Sequence, residues 1–412
     1  MRKKVLLLRD VFIIVLITVF LMEVGLRIFP KIIPPVLLIH FDPALRKAIA
    51  KGRFITIDDT FEFNRDDSGP PLRLMKPFTI SRMHNFNEPG DVYTTQLDEI
   101  GFCNPPETYN QSANIDLVTI GDSFTWCTAV KPEDTWTKHL GNLAGISTLN
   151  LGRQGVGLYE YIQIFKGYGA QKKPKIVIMG IYGGNDLRDA LKYQDYRKDI
   201  EKAYTRVLVS RNRKGSIISR HSYSISIVRS LLKYFNPGTL SSNDKVGLRS
   251  DSINFRYNIK FSNESIPFNK ENTDKDEVQH AKLLYAKKID LQVFMDALKT
   301  FVELSQQHQF IPVIVYIPSA HTTYADNIIF ADPDLLNLMA WFSQEQRTFF
   351  KIQSKELGYV FIDLTPSLQS SAKVSGSGNL LYYRLNLHLT KQGHKIVAET
   401  IWQNLQNMRL IK

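Results

Sequence analysis

From about Ile115 onward the chain alternates two kinds of apolar pattern. Short apolar runs rich in β-branched residues, bounded by glycine or polar residues, read as buried strands: Leu117–Ile120, Ser147–Leu151, Lys175–Tyr182, Ile311–Ile317 and Tyr359–Leu364. Between them apolar residues recur at helical spacing. Trp136, Leu140 and Leu143 mark one helix, with Pro132 suited to its first turn and Glu133 and Asp134 complementing the dipole there. Leu158, Tyr161, Phe165 and Tyr168 mark a second, and Leu291, Phe294, Leu298, Phe301 and Val302 a third. Further helices are expected around Trp341–Ile352 and over Leu389–Leu405. Strands alternating with helices of this length predict an α/β fold: a parallel sheet covered by helices on both faces.

Outside that alternation the pattern changes. Near the start, Arg2, Lys3 and Lys4 precede an apolar core, Val11–Met22, within a wider Val5–Phe29 stretch. The core alone has the length of a signal-peptide core, whereas the wider stretch is long enough to span if Arg9, Glu23 and Arg27 sit near the interfaces. No small-residue cleavage site follows, so residues 1–33 are expected to be an uncleaved signal anchor with its basic end cytoplasmic. The rest of the chain is then exported, to the periplasmic or extracellular side. Residues 34–114 are irregular, with Pro70-Pro71, Asn and Asp clusters, and strand candidates at Phe54–Ile57 and Val92–Leu97; they read as a stalk and accessory segment. The main domain, 115–412, is interrupted over 188–276. An inserted cap is expected there, with a helix such as Ile217–Tyr234.

Composition narrows the classes. At 412 residues, with 43% hydrophobic and 22% charged, the chain is an ordinary globular one and not a disordered one. The net charge of +12 is concentrated: 188–249 holds fourteen Lys/Arg against five Asp/Glu. Such a patch is either a solvated basic surface or attracts an anionic glycan, headgroup or wall polymer. No nucleic-acid motif accompanies it, and no nucleic-acid partner is expected. The nine histidines and the acids show no metal-ligand spacing, and neither metal nor cofactor is expected. The two cysteines, Cys103 and Cys127, exclude a disulfide-dense scaffold. In an exported, oxidising compartment they are expected to pair, pinning the accessory segment against the turn that follows Leu117–Ile120.

That turn, Gly121-Asp122-Ser123, is the candidate centre. A serine on a tight turn at the carboxyl end of a strand lies where open α/β sheets place their chemistry. An acyl-accepting serine needs a general base and donors for the developing oxyanion. The Ser123 and Gly155 N–H groups and the Asn185 amide lie at the ends of the first three strands and could converge as an oxyanion hole. His388, just ahead of a helix start, is the candidate base. His394 reads as packing or surface, Asp122 as a turn residue, Arg188 as a structural ion pair, and Trp126 and Tyr182 as packing; the competing readings are a second base, a catalytic acid, a contact to an acidic substrate and sugar stacking.

These residues together resemble the SGNH (GDSL-type) hydrolases. Gly121-Asp122-Ser123-Phe124 is similar to the family's first block, Gly155 to the glycine of the second, and Gly183-Gly184-Asn185-Asp186 to the third; His388, with the Leu-Thr-x-x-Gly-His that follows it, is similar to the fifth. The likeness runs from about Thr94 to Asn404 without the basic insertion, and is nearest to bacterial membrane-anchored members. It implies a flavodoxin-like sheet of order 2-1-3-4-5. It also implies a serine-dependent esterase or O-acyltransferase acting on an acyl ester, acetyl foremost, of a glycan or lipid. On it Ser123 is the nucleophile, Ser123, Gly155 and Asn185 form the oxyanion hole, and His388 is the base. One position departs from the pattern: where the family carries an aspartate two or three residues before the histidine, this chain has Asn386 and Leu385. Three readings follow: a slow enzyme whose imidazole is oriented by Asn386 or by nothing, an enzyme recruiting an aspartate such as Asp363, or a degenerate protein that binds an anionic surface polymer or glycan. For Asp363 the competing reading is a cap before Thr365-Pro366.

Overall fold

The computed structural model describes residues 2–29, 32–33, 75, 77–78, 80–84, 86–87, 92–111, 113–198, 222–235, 253–261 and 264–411. The strand candidate Phe54–Ile57, the Pro70-Pro71 turn and most of the basic 188–249 stretch lie outside them. The chain divides into two compact units. One takes residues 1–61, 73–79 and 199–247; the other takes 62–72, 80–198 and 248–412.

In the first unit two helices are described, Arg2–Ile28 and Tyr223–Phe235. They are joined through Glu23, whose carboxylate accepts hydrogen bonds from Ser222 Oγ and Ser224 N at 2.9 Å and from Tyr223 N at 3.1 Å. A carboxylate at the first turn of a helix satisfies N–H groups that have no partner within it. Among the described residues no helix is long and apolar enough to cross a membrane, which corrects the expected spanning anchor. The charges explain this. Arg9 and Asp10 on one side and Glu23 and Arg27 on the other bracket Val11–Met22. That uncharged run covers ~18 Å at 1.5 Å per residue, against a hydrocarbon core of ~30 Å.

The second unit is built on a five-stranded parallel sheet: β1 (Leu117–Gly121), β2 (Thr148–Gly152), β3 (Ile176–Tyr182), β4 (Ile311–Ile317) and β5 (Val360–Asp363). They lie in the order β2-β1-β3-β4-β5. Helices connect them: α1 (Trp136–Ala144), α2 (Leu158–Ile164), α3 (Asp186–Lys198), α4 (Lys275–Tyr285), α5 (Met295–His308), α6 (Leu335–Leu357), α7 (Thr365–Val374) and α8 (Lys391–Asn407). β1 and β3 are buried at every position, as strands covered on both faces must be. Leu298 and Phe301 of α5, Leu140 of α1 and Val397 and Ile401 of α8 are all fully buried.

Local chemistry accounts for the helix starts. Thr135 keeps an extended backbone and its side chain accepts the Lys138 N–H, so α1 begins after it, and Pro132 opens a separate 3-10 turn instead of the α-helix. Thr390 caps α8 in the same way, accepting Gly393 N–H at 3.1 Å.

The simple alternation is also interrupted. Between β3 and β5 a three-stranded antiparallel sheet forms from Tyr257–Phe261, Glu264–Phe268 and Ile328–Phe330, and a hairpin, Ile80–His84 with Val92–Gln96, precedes β1. Within the expected insertion, 188–276, the described elements are most of α3, the helix Tyr223–Phe235 where a helix such as Ile217–Tyr234 was expected, the strands Tyr257–Phe261 and Glu264–Phe268, and the start of α4.

Candidate active site

Three glycines shape the surface on which the serine turn rests. Gly121, Gly152 and Gly180 are in register across β1, β2 and β3. A Cβ on Gly121 would collide with Thr125 Oγ1, one on Gly180 would lie 2.6 Å from the same atom, and one on Gly152 would lie 2.6 Å from Trp126 N. The row of bare backbones lets the chain after β1 fold down directly onto the strand ends. The turn then closes with Thr125 and Trp126 N–H on the Asp122 carbonyl at 3.2 and 3.0 Å. Asp122 is fully buried; its Oδ1 accepts Phe124 N–H at 2.8 Å, and the Asn185 side chain bonds its carboxylate. Burial pushes Asp122 up to about 7, against the pull of those two bonds. It is the turn residue expected.

Ser123 Oγ lies 2.8 Å from His388 Nε2. It is 3.5 Å from Asp122 Oδ2, too long to count as a hydrogen bond of consequence. His388 is presented by a closed loop in which Tyr383 N–H bonds the His388 carbonyl at 2.8 Å and Leu387 N–H the Tyr383 carbonyl at 3.2 Å. Leu387 is forced to φ 59°, a left-handed conformation unusual for leucine. The imidazole stacks on Phe124 at 4.7 Å, and Phe124 stacks on Tyr182 at 3.5 Å.

Behind the ring, His388 Nδ1 is 2.9 Å from the Asn386 main-chain carbonyl. A carbonyl can only accept, so the proton belongs on Nδ1, and the Nε2 lone pair faces the Ser123 hydroxyl. That is the tautomer a general base requires. Asn386 therefore orients the imidazole with its backbone. Its side-chain Oδ1 instead accepts the His388 N–H at 3.2 Å, which corrects the expectation of an orienting amide side chain. Asp363 is engaged elsewhere, with Arg347 at 3.2 Å and Thr365 N–H at 2.9 Å; it is a cap and not a recruited acid. Desolvation draws His388 down to about 4, and the Asn386 carbonyl offsets only part of this.

The loop after β2 is wired to the same turn. Arg153 N–H bonds the Gly121 carbonyl at 2.9 Å, Gln154 Nε2 donates to Thr128 Oγ1 at 3.1 Å, and Thr128 Oγ1 donates to the Ser123 carbonyl at 2.9 Å. Gly155 follows at φ 69°, a conformation that favours glycine. Among the described residues, no other backbone carbonyl or side chain takes up the N–H of Ser123 or Gly155. Asn185 opens α3, its carbonyl accepting Asp189 N–H at 3.0 Å.

Polar residues that the sequence reading did not single out support this edge. Asp186 accepts Tyr161 Oη–H at 2.6 Å and Tyr182 N–H at 2.8 Å. Glu160 accepts Gly157 N–H at 3.0 Å. A glutamate three residues after Gly157 is a legible capping signal; the Tyr161–Asp186 pair, 25 positions apart, has none. Arg188 pairs with Asp189 and Asp276 at 2.9 and 2.8 Å, the structural role expected of it. Trp126 is 1% exposed beneath Arg153, which leaves it unavailable for sugar stacking. His394 is buried, its Nδ1 accepting Trp136 N–H at 3.2 Å. Cys103 and Cys127 are joined in a disulfide, Cα–Cα 5.9 Å.

No family model matches this sequence, and no curated protein matches it. Among solved structures it is similar to a lipolytic protein of the G-D-S-L family from Desulfitobacterium hafniense DCB-2 (16% identity, 70% of this chain and 99% of that one, TM-score 0.36). It is similar also to the acetylxylan esterase Axe2 from Geobacillus stearothermophilus (12%, 71% and 95%, 0.36) and to LAE5, an alpha/beta hydrolase from the metagenome of Lake Arreo (11%, 71% and 95%, 0.33).

Proposed function

We propose that this chain is an SGNH-type serine esterase or O-acyltransferase, with Ser123 as nucleophile and His388 as base. The observation that carries the reading is the 2.8 Å contact between Ser123 Oγ and His388 Nε2, with the ring's other nitrogen holding its proton on the Asn386 carbonyl. In the reaction Ser123 Oγ bonds to the ester carbonyl carbon while its proton passes to Nε2. The negative charge formed on the carbonyl oxygen is met by the N–H groups of Ser123 and Gly155 and the Asn185 amide. Collapse breaks the ester C–O bond, and His388 returns the proton to the departing alcohol. Water or a sugar hydroxyl, its proton taken by His388, then attacks the acyl-serine; the acyl C–Oγ bond breaks and His388 passes the proton to Ser123 Oγ. The ester is an acyl ester, acetyl in the simplest case, of a glycan or lipid.

The chain acts outside the reducing cytoplasm, a reading supported by the Cys103–Cys127 disulfide. The helix Arg2–Ile28 holds it at a membrane surface: Ile14, Ile17, Phe20 and Leu21 are each more than half exposed, and Arg2, Lys3 and Lys4 suit anionic headgroups. Sedimentation of the full chain with anionic vesicles checks this, and a chain that stays in the supernatant refutes it.

The catalytic reading is tested with a chromogenic acetyl ester and a fluorophosphonate probe. Wild type turns over the ester and is labelled once, at Ser123; Ser123→Ala does neither. Turnover that survives Ser123→Ala refutes the assignment, and a wild type that neither hydrolyses nor labels identifies a binding protein.

A further inference from the structure

The strand–helix alternation starts at β1, yet the segment ahead of it reaches into the serine turn. Asn104 is 3% exposed and lies along β2, the edge strand of the sheet. Its Oδ1 accepts Asn150 N–H at 2.7 Å and its Nδ2 donates to the Asn150 carbonyl at 2.9 Å. One side-chain amide thus pairs with the strand as a neighbouring peptide would, and covers its edge. The same Nδ2 donates to Asp98 Oδ2 at 2.7 Å, and Asp98 Oδ1 accepts N–H groups from Ile100 and Phe102 at 3.0 and 2.7 Å.

The network continues inward. Asn150 is 1% exposed in a strand that otherwise presents leucines to the core. Its Oδ1 accepts Gly152 N–H at 2.8 Å and its Nδ2 donates to the Thr125 carbonyl at 2.7 Å. Thr125 is the residue that Gly121 and Gly180 make room for, two positions past Ser123. A buried amide costs free energy unless bonded, and an apolar residue would serve the strand as well. What the amide adds beyond its own strand is a hold on the serine turn, beside the covalent hold of Cys103–Cys127.

We infer that Asn104 is a positioning residue for Ser123, acting through Asn150, and that Asp98–Asn104 clamps the serine turn in its reactive geometry. The inference rests on Ser123 being the nucleophile. Without Asn104 the Asn150 N–H and carbonyl lose their partner, and the amide that holds the Thr125 carbonyl is itself unsupported. Misplacement of a reacting group by ~1 Å costs on the order of 10²-fold in rate.

The test measures the limiting rate at which a fluorophosphonate inactivates the full chain, the half-saturating probe concentration and the melting temperature. Asn104→Ala and Asn150→Ser are compared with Leu405→Ala, a buried truncation in α8 outside the network. Asn150→Ser keeps the main-chain pairing with Asn104, so it reports even where Asn104→Ala folds poorly. Both network variants are expected to lose ~10–100-fold in limiting rate with half-saturation unchanged, while Leu405→Ala, similarly destabilised, reacts within ~3-fold of wild type. Network variants that react at the wild-type rate overturn the clamp, as does a Leu405→Ala that slows equally. A wild type that is not labelled, or a Ser123→Ala that is, overturns the nucleophile reading itself, an outcome distinct from loss of the clamp.

Discussion

Replacing Asn386 by aspartate tests how His388 is made basic. In the wild type desolvation draws the imidazole down to about 4, and the neutral carbonyl that meets its Nδ1–H offsets only part of this. Asn386 Oδ1 lies 3.2 Å from His388 N, and a carboxylate in its place is taken at ~5 Å from the ring. Opposite unit charges at ~5 Å with an effective dielectric constant of ~20 attract by ~3.3 kcal/mol. At 1.36 kcal/mol per unit, this raises the His388 pKa by ~2.4, to roughly 6. On the proposed mechanism His388 acts when neutral, so kcat/KM falls as pH drops through its pKa. The wild-type acid limb is expected near pH 4, below that of an ordinary histidine, and the Asn386→Asp limb near pH 6. At pH 8 both rings are neutral, and the added charge stabilises the imidazolium formed in the transition state. The variant should there be faster, by ~10–10²-fold, within the ~10⁴ that an aspartate contributes in a serine protease. The assay is kcat/KM for an acetyl ester from about pH 3 to 9, wide enough to hold both acid limbs. Coincident acid limbs in the two proteins refute the electrostatic account, and a wild-type limb near 6.5 refutes the desolvated ring.

Three further outcomes follow from the packing around the site. Gly152→Ala places a methyl 2.6 Å from Trp126 N and 2.7 Å from Thr125 C, backbone atoms that cannot swing aside; a loss of ~1–3 kcal/mol in urea unfolding is expected, with slowed labelling of Ser123. Opening the Cys103–Cys127 bridge, which closes a loop of sequence separation 24, should cost ~3.5 kcal/mol in the chain-entropy model. Denaturation with and without reductant measures that, and the unreduced, denatured protein should show no titratable thiol. His394 is held neutral, down to about 3 from 6.5, by burial and then by the like charge of His139 and His388. Its folded-state pKa is depressed, so the stability it contributes is present above pH 6.5 and is lost as pH falls toward 3. His394→Gln should lose less stability than wild type over that window, and equal losses would exclude His394 as the source.

The elements that local pattern determines were legible in the chain. A strand buried on both faces needs a continuous apolar run and a covering helix needs apolar residues every third or fourth position, so β1 to β5 and α1, α2, α5, α6 and α8 could be placed within a few residues. Ser123, Gly155, Asn185 and His388 could be named because each sits at an element end, where glycine and capping residues mark the break. The antiparallel sheet Tyr257–Phe261, Glu264–Phe268 and Ile328–Phe330 was not legible, because its third strand is three residues long and lies about 60 residues beyond the second. The stretch Arg2–Ile28 was apolar enough to suggest a span, but its charges leave too short an uncharged run. Whether Asn386 meets His388 by side chain or by carbonyl depended on the left-handed turn at Leu387, set by the closed loop from Tyr383. Asn104 falls within the irregular 34–114 segment, and only the tertiary fold laid it along β2. Periodicity records which face of an element is buried, and so the sequence by itself determined the sheet and the strand ends that carry Ser123. The contacts that hold Ser123 there join residues tens to hundreds of positions apart, leave no periodic trace, and were decided by the packed structure alone.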